Sequence, residues 1–213
     1  MKPGLLKILC MYSGGLDSLG VLYKLLTAEE YADYKILVHH MILDNREDRA
    51  EAEKTAVEKT MTYFRENDYH PFEYTESTHE YRFQKTDFMW DMNICAFIAG
   101  SICATDVRII NVAMGRTETD IQVGGNSLFE EHMQMAQNVF KATLAVVRLK
   151  RKRAPKYIFP VMEMSKLDIW NMLPEELRRM SWSCRTPIYE DGNPTPCMHC
   201  NTCMDLQKYG IMG

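Results

Sequence analysis

CMYSGGLDSLG, from Cys10 to Gly20, closes one apolar run and opens another of different period. Before it, LLKILCMY is a short apolar stretch of the kind shown by a strand covered on both faces. After it, in LDSLGVLYKLLTAEEY, Leu16, Leu19, Leu22, Tyr23 and Leu26 recur near helical spacing. The junction holds two adjacent glycines between two serines. Such a turn brings backbone N–H groups close to an anion, and the helix that follows adds the positive end of its dipole. Asp17 puts an acid where an anion is expected. A divalent cation between carboxylate and phosphate would reverse the sign of that repulsion. The plainer alternative is a tight turn, with Asp17 favoured at a helix start by the dipole. The stretch is neither a Walker loop, which needs Gly-Lys-Ser/Thr, nor the three-glycine dinucleotide fingerprint. It predicts a different phosphate loop, built from Tyr12, Ser13, Gly14, Gly15, Leu16, Asp17 and Ser18.

Outward from this loop, strand-like and helical patterns alternate almost to the end of the chain. KILVHHMILD reads as a second strand and HPFEYTE as a third, with VRIINVAMG the fourth and KYIFPVM the fifth. Between them, REDRAEAEKTAVEKTMTYFREN reads as an amphipathic surface helix with Ala52, Ala56, Val57, Met61 and Phe64 inward. WDMNICAFIAGSICAT reads as a buried helix, SLFEEHMQMAQNVFKATLAVVRL as another, and SKLDIWNMLPEELRR as the last. The alternation predicts an α/β fold, a parallel five-stranded sheet with helices on both faces. Ligands of such sheets bind beyond the carboxyl ends of the strands, so the loops after Tyr12, Leu43 and Gly115 should share one rim.

The 213 residues suit one compact domain with a small appendage, divided here into residues 1–180 and a cysteine-rich lobe, 181–213. Hydrophobic residues make up 46% of the chain, yet no apolar run approaches a membrane span. The short apolar start reads as a first strand and not a signal peptide, so a cytoplasmic protein without membrane contact is expected. A net charge of -4 gives no general attraction to nucleic acid, which makes nucleic acid an unlikely partner. The basic run RLKRKRAPK, Arg148 to Lys156, is the local exception. A homodimer, the commonest association of soluble enzymes, is the expected assembly.

Of seven cysteines, Cys10, Cys95 and Cys103 lie in apolar segments and read as small buried hydrophobes. The other four, Cys184, Cys197, Cys200 and Cys203, form C-x12-C-x2-C-x2-C. Four soft ligands, three of them at knuckle spacing, predict a closed tetrahedral zinc site of the structural kind. Disulfides and an iron–sulfur centre are the competing chemistries. His199, set between two knuckle cysteines, reads as a surface residue.

SGGLDS after a first strand resembles the pyrophosphate loop of the ATP pyrophosphatase (PP-loop) superfamily, whose enzymes cleave ATP between its α- and β-phosphates. The resemblance implies a Rossmann-like fold of the adenine nucleotide alpha hydrolase type. It also implies ATP and Mg2+ as cofactors, and a role for Asp17 beside the phosphates. AMGRTETD after the fourth strand is a second echo: Gly115 would let nucleotide approach the backbone, Asp120 would meet metal or substrate, and Arg116 would contact phosphate or carboxylate. The loop together with the cysteine lobe, and FPVMEMSKLDIW leading to SWSCR, resembles the 7-cyano-7-deazaguanine synthase family. That likeness implies adenylation of 7-carboxy-7-deazaguanine, ammonia attack to an amide, and a second adenylation leading to the nitrile. Asp17, Ser18 and Lys166 are the candidate catalytic residues, Lys166 as a phosphate contact, and Zn2+ is the expected occupant of the four cysteines.

Three features of that family have no counterpart: its closer spacing of the first two cysteines, its Gly-Gln-basic signature after strand two, and its Tyr-Pro-Asp-Cys-Arg segment. These departures leave ATP use alone and bear on the second substrate. An enzyme stopping at the amide, a ligase joining deazaguanine to another amine such as a protein's, a tRNA-thiolating PP-loop enzyme and a non-catalytic zinc-stapled nucleotide-binding module all stay open.

Overall fold

The computed structural model describes residues 6–80, 91–146 and 154–211. Arg148–Arg153 of the basic run lie outside them. The order is β1 (Lys7–Tyr12), α1 (Leu16–Thr27), a 3-10 turn (Glu29–Tyr31), β2 (Lys35–Asp44), α2 (Ala50–Glu66), β3 (Phe72–Glu80), α3 (Asp91–Thr105), β4 (Ile109–Ala113), α4 (Glu118–Val146) and β5 (Lys156–Ile158). Two short helices, α5 (Lys166–Met172) and α6 (Glu175–Arg178), lead to a hairpin of β6 (Ile188–Glu190) and β7 (Asn193–Thr195), and then to α7 (Asn201–Lys208).

The first five strands form one parallel sheet in the order β3-β2-β1-β4-β5. The expected parallel five-stranded α/β architecture is therefore the one observed. Strand side chains alternate between faces, so β1 serves two cores. Ile8, Cys10 and Tyr12 join α1, α2, α5 and α6 on one side, while Leu9 and Met11 join α3 and α4 on the other. Covering both faces is why the first strand reads as an unbroken apolar run. From β1 the chain moves one way through β2 and β3, then returns to place β4 on the opposite side. The order thus reverses between β1 and β4, where a parallel sheet opens a crevice at its carboxyl edge.

Several boundaries differ from those read in the sequence. Helix α4 begins at Glu118, before the expected SLFEE start, and runs through Gly124–Gly125. Two interior glycines cost a helix about 1 kcal/mol each relative to alanine, which a 29-residue helix absorbs. Strand β5 stops at Ile158, two residues before Pro160, and Pro174 separates α5 from α6. The hairpin of the lobe turns at Asp191 and Gly192, both in the left-handed region (φ 50° and 80°), which suits a two-residue loop between twisted strands. Leu206 of α7 and Ile211 pack into the main core, so the lobe is anchored to the sheet domain by more than its cysteines. No described helix is long and apolar enough to cross a membrane.

Candidate active site

The crevice at the β1/β4 reversal is a cavity of about 320 Å³. Its walls come from the ends of β1, β2 and β4 (Met11, Tyr12, Leu43, Met114, Gly115), the starts of α1, α2 and α3, and residues of the cysteine lobe. The three loops expected on one rim do share it. Ser13, Gly15, Leu16, Asp17, Ser18, Arg116, Asp120 and Lys166 all line this cavity.

Within the loop, Gly14 adopts φ 84°, and a Cβ there would come within 3.0 Å of Val57 Cγ2 and 3.3 Å of the Glu53 carbonyl. Gly14 is thus needed for the turn itself, although it is not among the cavity-lining residues. The Ser13 and Ser18 hydroxyls stand 3.0 Å apart, and Ser18 Oγ donates to the Gly15 carbonyl at 3.0 Å. Helix α1 begins with Gly15 at its N-cap, which has no side chain to cap the first amides. A serine from far along the chain does this instead: Leu16 N–H donates to Ser183 Oγ at 3.2 Å. Tyr12 contributes to the cavity wall while its hydroxyl is held by Thr60 at 2.8 Å.

Gly115 lines the cavity and is also a point of close approach between two elements. A Cβ at this position would lie 2.8 Å from Ser18 N and 3.2 Å from Asp17 Cβ. The close approach is therefore between the end of β4 and the first turn of α1. Lys166, at the start of α5, places its ammonium 3.1 Å from Asp17 and 3.8 Å from Asp205. Burial opposes charge on Lys166, but Asp17, Asp120 and Asp205 outweigh it and hold its pKa above the usual lysine value. Burial also pushes the Asp17 carboxyl above the ordinary carboxylate range against the pull of Lys166. Asp120 accepts from Thr117 N–H at 3.0 Å at the head of α4, and Arg116 lies 3.9 Å from Asp120 and against the Met92 sulfur. Asp17 and Asp120 both line this cavity, and two carboxylates facing one cleft fit a divalent cation beside phosphate.

The cavity is also lined by residues that sequence reasoning missed. Arg49 pairs with Glu53 at 2.5 Å, with Glu47 at 2.6 Å and with Asp91, while Arg185 makes two bonds to Glu47 and one to Asp91 at 3.0 Å. Burial pushes the Glu53 carboxyl up to about 7, since Arg49 is shared among three acids. α2 is therefore not wholly a solvated surface: Glu53 lies three and four residues before Ala56 and Val57, on the inward face that helical spacing marks. Cys95 is the cysteine of the cavity wall, and burial pushes its thiol up to about 12, which leaves it neutral and a poor nucleophile.

Cys184, Cys197, Cys200 and Cys203 come together as one group with their sulfurs within 4.8 Å of one another. Cys200 N–H donates to Cys197 Sγ at 3.2 Å and Cys197 N–H to Cys184 Sγ at 3.3 Å. Backbone donors aimed at sulfur favour thiolates, and four thiolates fit a tetrahedral metal or an iron–sulfur cluster. His199 is exposed, bonds to the Cys197 carbonyl, and stands outside the group.

Fold and cleft define a Rossmann-like α/β protein with a glycine–serine loop and a helix start facing its crevice. Among solved structures, the U34-tRNA thiolase NcsA from Methanococcus maripaludis with its 4Fe-4S cluster is similar, with a TM-score of 0.50 and 16% identity. The match covers 84% of this chain and 58% of that one, so the chain spans little more than half the length of that protein. At this identity the likeness is one of fold. No protein-family model and no curated protein matches the chain.

Proposed function

We propose that the protein is an ATP-using enzyme of the PP-loop type that adenylates a 7-deazaguanine carboxylate and passes the activated carbon to ammonia. The observation that carries the ATP part is the SGGLDS turn at the carboxyl end of β1, with Asp17, Lys166 and Arg116 around one crevice. The substrate part rests on the likeness of both chain ends to the deazaguanine family. In the first step a substrate carboxylate oxygen attacks the α-phosphorus of ATP and the bond to pyrophosphate breaks. The Ser13–Ser18 turn and Lys166 would orient the phosphates and offset charge developing on them. Mg2+, held by Asp17 and Asp120, would supply neutralisation of the phosphate charge when bound. Ammonia then displaces AMP to give the amide; a second ATP adenylates the amide oxygen with release of pyrophosphate, and loss of AMP together with the two N–H protons gives the nitrile. Zn2+ in the four-cysteine group would act as a cross-link of the lobe. The protein would act in the cytoplasm on small molecules, with no nucleic acid required.

A second reading, tRNA thiolation, is favoured by the fold likeness to NcsA. Against it, none of the four grouped cysteines lines the described cavity, and a group with four thiols leaves no ligand position open for sulfur chemistry. The deciding experiment incubates the zinc-loaded protein with ATP, Mg2+, ammonium and 7-carboxy-7-deazaguanine and analyses products by mass spectrometry. Nitrile with AMP and pyrophosphate is expected, and Asp17→Ala should lower pyrophosphate release by roughly a hundredfold or more while leaving circular dichroism unchanged. Amide alone marks an enzyme that halts midway. No AMP with this substrate, but AMP with tRNA and a sulfur donor, would replace the first reading by the second.

A further inference from the structure

The residues on either side of Cys184 belong to the cleft. Trp182 N–H donates to the Gly14 carbonyl at 2.9 Å. Ser183 accepts from Leu16 N–H, and a Cβ on Gly15 would lie 3.3 Å from the Trp182 carbonyl and 3.5 Å from Ser183 Oγ. Arg185, which lines the cavity, pairs with Glu47 and Asp91. This four-residue stretch therefore touches the β1–α1 loop, the approach to α2 and the start of α3. It contains no helix or strand of its own. Toward the lobe, Cys184 packs with Cys197, Cys203, Cys200 and Trp182 in a small cluster separate from the two main cores. Asp205, two residues past Cys203, reaches Lys166 from the same lobe.

We infer that Trp182–Arg185 is a strap shaping the phosphate loop, with Ser183 a positioning residue of the nucleotide site, and that metal occupancy of the cysteine group sets nucleotide affinity. This rests on the reading of Ser13–Ser18 as a nucleotide loop. The physical route is short. The amide of Leu16 is among the first donors of α1 and lacks a local cap, so its direction depends on Ser183. Without an ion no bond joins the four sulfurs, and Ser183 is then placed only by the Trp182–Gly14 hydrogen bond on one side and the Arg185 ion pairs on the other. An ion shared by the four sulfurs keeps the strap against the loop.

Coupling of this kind is reciprocal: whatever factor the metal adds to nucleotide affinity, the nucleotide must add to metal affinity. The test uses the full chain loaded with Zn2+ and α,β-methylene-ATP with Mg2+, a nucleotide that cannot be cleaved at the reacting bond. Calorimetry gives nucleotide affinity, and competition with a chromogenic chelator gives zinc affinity with and without nucleotide. Zinc affinity is expected to rise about tenfold with nucleotide bound. Ser183→Ala, with its zinc content unchanged, should weaken nucleotide binding about fivefold and shrink the coupling. Zinc affinity indifferent to bound nucleotide, or a Ser183→Ala protein binding nucleotide as wild type does, overturns the inference while leaving the nucleotide site in place. A zinc-loaded protein that binds no nucleotide overturns the site's reading and the inference with it.

Discussion

Glu53 occupies a helix whose other charges face water, yet its side chain is buried at the cavity wall beside Arg49. Its carboxyl, raised from an ordinary 4.5 to about 7, keeps its proton in the folded protein where the unfolded chain has already released it. The native state then binds more protons between those two values, so stability falls as pH rises through that window. Glu53→Gln removes this contribution while Arg49 keeps Glu47 and Asp91. Urea denaturation at about pH 5 and about pH 8 should show wild type losing on the order of 1–3 kcal/mol relative to the variant. Parallel pH curves would mean that Glu53 is ionised throughout. The candidates Asp17, Ser18 and Arg116 were legible as residues because loop chemistry is local. Glu47, Asp91 and Arg185 were not, since ion pairs spanning 94 and 138 residues leave no mark of spacing.

Helix α1 and strand β4 meet at a point that neither sequence pattern announces. Gly115 stands two residues past β4, where any side chain would press on the backbone of Asp17 and Ser18. Gly115→Ala therefore has to push the first turn of α1 away from β4. It should cost about 1–3 kcal/mol in urea denaturation, as overpacking of a tight contact does. The same variant should weaken binding of α,β-methylene-ATP, and full affinity with full stability would contradict this contact. Elements that are nearly continuous apolar runs, such as β1, β2 and α3, were read nearly to their ends. α4 was not, because Gly124–Gly125 resembles a loop locally and is overridden by the continuous helix around it. The β6–β7 hairpin escaped for another reason: strands of three residues, IYE and NPT, are too short to carry an alternation that can be read.

The whole molecule is a sheet domain whose crevice is completed by Trp182, Ser183, Arg185 and Thr202 near the end of the chain. Cys200→Ser removes one ligand of the four and should lower bound zinc and reduce unfolding free energy by on the order of 3 kcal/mol. Metal analysis by mass spectrometry and thermal unfolding check this together, and full zinc with an unchanged midpoint would contradict a four-cysteine site. The sequence by itself determined the class of fold, the place of the glycine–serine loop and the four cysteines as one group. Each of these is written in short-range periodicity, turn chemistry or ligand spacing, which local physics dictates. Tertiary structure alone decided that the cysteine lobe lies against that loop, that Ser183 caps α1, and that Arg185 and Arg49 share Glu47 and Asp91. Those contacts arise only when burial of Leu206 and Ile211 in the sheet's core draws the end of the chain back over its beginning.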